Sequence, residues 1–281
     1  MYSAPPAPGC YDGNACVRAG VVPGPKGVRS RLSYYRPGLR QREHTHHAPH
    51  FSVVIAGSFQ ESTCCAERII CHGSVGFRAD AARHAVHYGP AGALILSIDV
   101  DTGILADPGR DGVRWLHAPA SAARDLLVPL DARPAEAVGA ALERLLALAA
   151  ARHGSVMAMP VLQAPAWLRR AAERLIVAPQ TLRIAELSRW CGVHRAHLAC
   201  EFLRHYGMSP SRFRRRAMTA RSLGAALGPD SSLAGAADAG GFADQSHMTR
   251  AMRECCGLSP GRIRRLLKQA TSVQYAVDPA A

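Results

Sequence analysis

Four histidines fall within the seven-residue stretch "HTHHAPH", at His44, His46, His47 and His50, and two more follow in "HAVHY", at His84 and His87. Neutral imidazole is a ligand for Zn, Fe, Ni and Cu. On an extended chain, residues two apart point to the same face, so His44 and His46 can share one ion. His50 and His84 can complete the set, whereas spacing turns His47 and His87 away. The candidate metal ligands are therefore His44, His46, His50 and His84, and the candidate cofactor is a divalent transition metal. The same side chains could instead line a polar effector pocket, or form a cluster that responds to protons near pH of about 6.5.

The elements that must hold these residues are short β-type runs. Between Arg29 and Val100 the chain reads "RSRLSYY", "FSVVIAG", "ERIIC", "SVGF", "HAVHYG" and "GALILSIDV", broken by glycines. Closely spaced short strands predict a small barrel or sandwich. Residues 1–28 are rich in Pro and Gly and read as a flexible arm. From about Ala132 the period becomes helical, with Val138, Leu142, Leu145, Leu146 and Ala149 on one stripe. Residues 106–163 are accordingly expected to be a helical linker and dimerisation segment, and residues 269–281 a disordered tail.

The last third of the chain repeats itself. "FLRHYGMSPSRFRRR" begins at Phe202 and "MRECCGLSPGRIRRL" at Met252, placing Gly207-Met-Ser-Pro and Gly257-Leu-Ser-Pro 50 residues apart. Leu198 with Phe202, and Met248 with Met252, give each copy an i, i+4 apolar edge. Each copy reads as a short helix, a Gly-containing turn, a second helix, and a Ser-Pro start to a third. Two short helices across a tight turn make a helix-turn-helix.

The charge agrees. Residues 164–268 hold 18 Lys+Arg against 7 Asp+Glu, an excess of 11 within a chain whose net charge is +13. Almost all of it is arginine, whose planar fork suits phosphates and guanines. Double-stranded DNA is the expected partner. No apolar run reaches the ~18 residues of a membrane span, so a membrane is not expected to be one. The nine cysteines include no C-x-x-C pair, and no signal-peptide pattern opens the chain, so a reduced, cytoplasmic, nucleoid-associated setting is expected.

On these residues the segment 164–268 resembles the DNA-binding domain of AraC-type transcriptional regulators. "GGFADQSHMTRAMRECCGLSP" is similar to the signature of that family's second helix-turn-helix, and "PAWLRRAAERLI" to the domain's first helix. The resemblance implies a first unit at about 183–206, a linker helix at about 211–227 and a second unit at about 232–256. Base contacts are expected from Arg195 and Arg204 in copy one, and from Gln245, Ser246, Thr249 and Arg250 in copy two; His197 is a further expected DNA-binding residue. Arg214, Arg215, Arg216 and Arg253 are expected at phosphates. Gly224-Ala225 depart from the larger apolar residues usual on the linker helix.

The histidine stretch follows Gly38-x5-His44-x-His46-x3-His50-x6-Gly57, the spacing of the first cupin motif, with His50 in place of its usual Glu. Gly73 precedes His84 as in the second motif, although Ala79 and Ala81 replace its Pro and Gly. Residues 29–105 thus resemble the cupin barrels fused to many AraC-type regulators. The expected fold class is multi-domain α and β: an N-terminal cupin-like β-barrel, then an all-α domain with two helix-turn-helix motifs.

The function implied is a sequence-specific regulator responsive to a small molecule or metal, acting as a homodimer and meeting RNA polymerase, with no catalysis. The alternative is a cupin metalloenzyme of dioxygenase or isomerase type with a basic helical appendage. Cys64, Cys65 and Cys71 read either as sensors of oxidants or soft metals, or as inert packing.

Overall fold

The computed structural model describes residues 18–22, 29–46, 50–79, 82–99, 112–117, 127–128, 140, 143, 159–160, 164–228 and 231–274. His47, Ala81, the stripe of Val138, Leu142, Leu145, Leu146 and Ala149, most of the arm and residues 275–281 lie outside them.

Among the described residues nine strands form one sheet, antiparallel throughout: β1 (Arg18–Val22), β2 (Arg29–Tyr35), β3 (Arg40–His44), β4 (His50–Thr63), β5 (Glu67–Cys71), β6 (Ser74–Arg78), β7 (His84–Asp99), β8 (Val113–His117) and β9 (Met159–Pro160). The order is β1-β2-β7-β4-β6-β8-β9, with β3 on β7 and β5 on β4. The long pair β4/β7 is the spine, running from His50↔Asp99 to Thr63↔His84.

That spine curls. A straight strand would hold the two ends ~43 Å apart. Yet the His46 ring lies 4.2 Å from the His50 ring at one end and 5.1 Å from the His84 ring at the other. The bend falls at two register shifts, Val54/Ala56 and Gly57/Phe59. Gly57 sits at φ +84, where a Cβ would land on the carbonyl oxygen of Gly92, itself at φ +67. Glycine permits both the positive φ and the close approach. Bulges and glycine kinks are how a sheet closes on itself.

Seven helices follow: α1 (Ala166–Val177), α2 (Ile184–Trp190), α3 (Arg195–Tyr206), α4 (Pro210–Ala226), α5 (Leu233–Gly240), α6 (Gln245–Cys256) and α7 (Pro260–Gln274). Every residue from His50 to Ser58 on β4 is buried, because both faces of the strand are covered. One face, with Val54 and Phe59, joins Tyr35, Ile70, Tyr88, Ile95 and Trp115 inside the barrel. The other, with Phe51, Val53 and Ile55, joins Leu94, Leu96 and Ile98 of β7 in a single core with Leu223, Met248, Met252 and Ile263 of the helices. The two halves of the chain therefore share one core. The first helix-turn-helix has its own, built on Leu168, Leu175, Leu187, Leu198, Phe202 and Phe213.

Three expectations are corrected. The arm is not loose throughout, because Arg18–Val22 pairs in full register with β2. The segment 106–163 is not purely helical. Residues 127, 128, 140 and 143 are helical, but "VRWLH" forms β8 against β6, and β9 pairs with β8. Its buried Val113, Trp115 and Leu116 complete the barrel rather than a linker. The tail does not begin at 269, since α7 continues to Gln274.

Gly224 is explained by the shared core. A Cβ there would stand 2.6 Å from the Tyr34 hydroxyl, which donates to the Ala91 carbonyl. The small residue lets α4 lie close against the barrel. Gly224→Leu is therefore expected to lower the unfolding free energy by about 1–3 kcal/mol through overpacking, measured by urea denaturation. An unchanged midpoint would contradict this packing.

Candidate functional site

The two helix-turn-helix units are built alike. In copy one, Gly192 at φ +67 makes the turn after α2, His194 Nδ1 accepts from the Ala196 amide at 3.2 Å to cap α3, and Gly207 at φ +66 ends that helix. In copy two, Ser232 caps α5, Gly241 turns at φ +79, Asp244 Oδ1 accepts from the His247 amide at 2.7 Å, and Gly257 ends α6 at φ +80. The left-handed conformation at each turn favours glycine. Ser209 Oγ accepts from the Arg212 amide, with Pro210 in the first turn of α4.

Leu198 and Phe202 in α3, and Met248 and Met252 in α6, are fully buried. Burial of these edges turns the opposite faces of both helices to solvent. Arg195, His197, Arg204, Gln245, Ser246, Arg250 and Arg253 are exposed, and Thr249 is half-buried. His197 also stacks on Trp167 of α1, with ring centroids 5.7 Å apart.

The arginine run on α4 divides. Arg214 is half-buried and donates to the Leu182 carbonyl at 3.0 Å, tying α4 to the loop before α2. Arg215 is exposed and pairs with Glu254 of α6 at 3.2 Å. Arg216 departs from the expectation of a phosphate contact. It is buried, and its guanidinium donates to the His72 carbonyl in the β5–β6 turn at 3.3 Å. One helical turn spreads three consecutive residues around the axis, so the third meets the barrel rather than solvent. Arg212 and Arg262, 50 residues apart and both exposed in the first turns of α4 and α7, were not singled out from the sequence; their shared offset in the repeat is the signal.

At the barrel mouth His44, His46 and His84 each offer a ring nitrogen, all within 4.8 Å of one another. His44 Nδ1 donates to the Arg42 carbonyl at 2.8 Å, and His84 Nδ1 lies 3.5 Å from the Ala82 carbonyl. Donation by Nδ1 leaves Nε2 as the lone-pair atom, the usual way a metal-binding imidazole is oriented. Burial, then the Arg78 charge, push His46 and His84 down to about 2, so both rings are neutral. A tetrahedral ion with bonds of ~2.1 Å needs nitrogens ~3.4 Å apart, so small ring rotations would seat one. The donor set fits a borderline transition metal. His50 lies beside His46, but its Nε2 faces Arg78 Nη1 at 3.4 Å.

Arg78 is the hub behind the histidines. It donates through Nε to Glu61 Oε1 at 3.1 Å, through Nη2 to the same oxygen, and through Nη1 to Ser52 at 2.9 Å. Trp115 Nε1 donates to the other Glu61 oxygen. Glu61 and Arg78 are both buried. This pair was not singled out from the sequence; its signal is one formal charge in each of two otherwise uncharged strands.

Residues 168–266 match the family model described as a helix-turn-helix domain. No curated protein matches the chain. Among solved structures, the chain is similar to ToxT from Vibrio cholerae at 9% identity, over 86% of this chain and 99% of that one, with a TM-score of 0.38. It is similar to the C-terminal domain of AraT, a response regulator from Geobacillus stearothermophilus, at 18% identity over 37% and 88% of the two chains, with a TM-score of 0.34. It is also similar to Bacillus subtilis oxalate decarboxylase, at 18% identity over 26% of this chain and 21% of that one, with a TM-score of 0.25.

Removing one charge of the interior pair leaves the other buried and unpaired. Glu61→Gln is expected to cost about 3–5 kcal/mol of stability. Denaturant unfolding checks this, and a loss under about 1 kcal/mol would mean that the pair behaves as a solvated one.

Proposed function

We propose that the chain is a DNA-binding transcriptional regulator of AraC type, that α3 and α6 are its two recognition helices and that the barrel is its sensor; the match of residues 168–266 to a helix-turn-helix domain supports this. The matching exposed faces of the two helices carry the reading. Arg195, Gln245, Ser246, Thr249 and Arg250 meet base edges, where arginine suits guanine and glutamine suits adenine. Arg204, expected at a base edge, lies in the last turn of α3 and is assigned to phosphate instead, with Arg253 and with Arg215, the latter after releasing Glu254. His197 steadies α3 against Trp167. Arg214 and Arg216 take no part in DNA contact and hold α4 in place.

In the barrel, His44, His46 and His84 would hold a divalent transition metal, which would supply a Lewis-acid centre for a small effector. The close approach of one ring nitrogen from each, and the burial that keeps His46 and His84 neutral, support this. Sensing is proposed rather than catalysis, because Glu61, the buried carboxylate behind the histidines, is consumed by Arg78 and Trp115. Coupling to DNA runs along β6. Arg78 ends that strand beside the histidine cluster, and Ser74 at its other end adjoins the His72-Gly73 turn that Arg216 of α4 grips. A shift of β6 would thus move the helix that joins the two units. Among the described residues no helix is long and apolar enough to cross a membrane, and we place the protein with the nucleoid in the cytoplasm.

DNA affinity is expected to fall steeply with salt, with a log–log slope of about −0.9 per neutralised phosphate. Arg250→Ala is expected to cost about 1–3 kcal/mol of discrimination between cognate and scrambled duplex. Arg215→Ala is expected to flatten the salt slope by at most about 1, with discrimination kept. Equal losses on both duplexes for both variants would overturn these roles.

Titration with Zn(II) or Ni(II) is expected to give one tight site per chain, abolished in His46→Ala/His84→Ala, and to change DNA affinity. Arg216→Met is expected to keep the metal site but lose its effect on DNA. Metal binding without any effect in the native protein would refute sensing, whereas a full effect in Arg216→Met would refute only the route.

A further inference from the structure

The tip of the β4–β5 hairpin carries two adjacent cysteines that the DNA-binding reading does not use. The turn between Thr63 and Glu67 is pinned by Thr63. Its amide donates to the Ala66 carbonyl at 2.9 Å, and its Oγ1 accepts from the Ala66 amide at 3.1 Å and the Cys65 amide at 3.4 Å. In this held turn Cys64 and Cys65 are both exposed thiols, with Sγ atoms 3.1 Å apart. A disulfide would hold them at ~2.05 Å. The other adjacent pair, Cys255 and Cys256 at the end of α6, is buried, and burial pushes Cys256 up to about 12. Cys71 is buried and pushed up to about 12 in the same way. Only the hairpin pair joins exposure to adjacent sulfurs among the described residues.

We propose that Cys64 and Cys65 form a dithiol site for a trivalent metalloid, arsenous acid or a monosubstituted arsenoxide. The separation selects the ligand. Tetrahedral zinc with sulfur bonds of ~2.3 Å needs its sulfurs ~3.8 Å apart, and a linear two-coordinate soft metal needs them wider still. At that bond length the 3.1 Å bite closes an angle of only about 85°. Trivalent arsenic bonds mainly through its p orbitals and holds its substituents near right angles, which this bite matches. Two arsenic–sulfur bonds form, and the arsenic–oxygen bonds they replace break. The two thiol protons leave with the displaced oxygen, as one water from an arsenoxide or as two waters with the two hydroxides of arsenous acid. Arsenic stays trivalent and both sulfurs keep their oxidation state, so no oxidant is needed. After the first sulfur attaches, the second closes the ring from within the same turn at high effective concentration. The site stands apart from the histidine centre and holds whether or not that centre binds metal.

Phenylarsine oxide is the probe. The full chain, reduced and freed of reductant, is titrated under native conditions and read by intact mass and peptide mapping. One adduct per chain is expected on the peptide holding residues 64 and 65, stable to excess monothiol and removed by a 1,2-dithiol. Cys64→Ser or Cys65→Ser is expected to weaken binding by about 100-fold, with the circular dichroism spectrum unchanged because Thr63 holds the turn. Cys255→Ser is expected to keep the adduct. Absence of a monothiol-stable adduct, its persistence in both hairpin variants, or its mapping only to other cysteines would overturn the assignment.

Discussion

The structure depends on burial of the outer faces of β4 and β7 under α4, α6 and α7. Phe51, Val53, Ile55, Leu94, Leu96 and Ile98 cannot face water, and the helices of the second unit supply their cover. Apolar burial of this kind contributes about 25 cal/mol per Å² removed from water. It also has no preferred direction, so the polar contacts at the edge of the interface must fix its register. Arg216 to the His72 carbonyl, and His117 Nε2 to the His205 carbonyl at 2.6 Å, do so. Both contacts fall on α3 and α4, where the first unit also packs Phe213 beside Cys71 of β5 and the His72 ring.

The barrel interior follows the opposite rule. Several inward positions at the mouth are polar, and those around Arg78 answer one another. Arg78 meets Glu61, Ser52 and His50; Glu61 meets Trp115; Tyr88 donates to Gln41 at 2.9 Å. A network of this sort rigidifies its surroundings when satisfied and is costly when broken. It sets the histidines against a fixed wall.

Much of this was legible in the sequence. The repeated Gly-x-Ser-Pro, the i, i+4 pairs and the capping residues lie at fixed offsets along the chain, and such local signals need no tertiary knowledge; α2 through α6 fall where they point. The histidine spacing likewise put forward His44, His46 and His84, which the fold brings together, and also His50, whose Nε2 faces Arg78. What escaped depends on distant partners. The unbroken apolar run "FSVVIAG" announces a strand covered on both sides but not what covers it. Arg214, Arg215 and Arg216 look alike in sequence, and only the rotation of α4 against the barrel separates the buried one from the exposed one. "VRWLH" is too short to declare itself a strand without β6 beside it. Gly224 reads as a weak spot in a helix until Tyr34 appears opposite it.

The common core bears on how the molecule can be dismantled. Its carboxyl-terminal third matches a domain model on its own, which invites cutting the chain ahead of Ala164. Such a cut would strip the cover from the sides of α4, α6 and α7 that rest on β1, β4 and β7. The liberated piece would carry a continuous greasy flank of the sort that drives self-association. Its behaviour in a tube would report on that flank as much as on its taste for duplex.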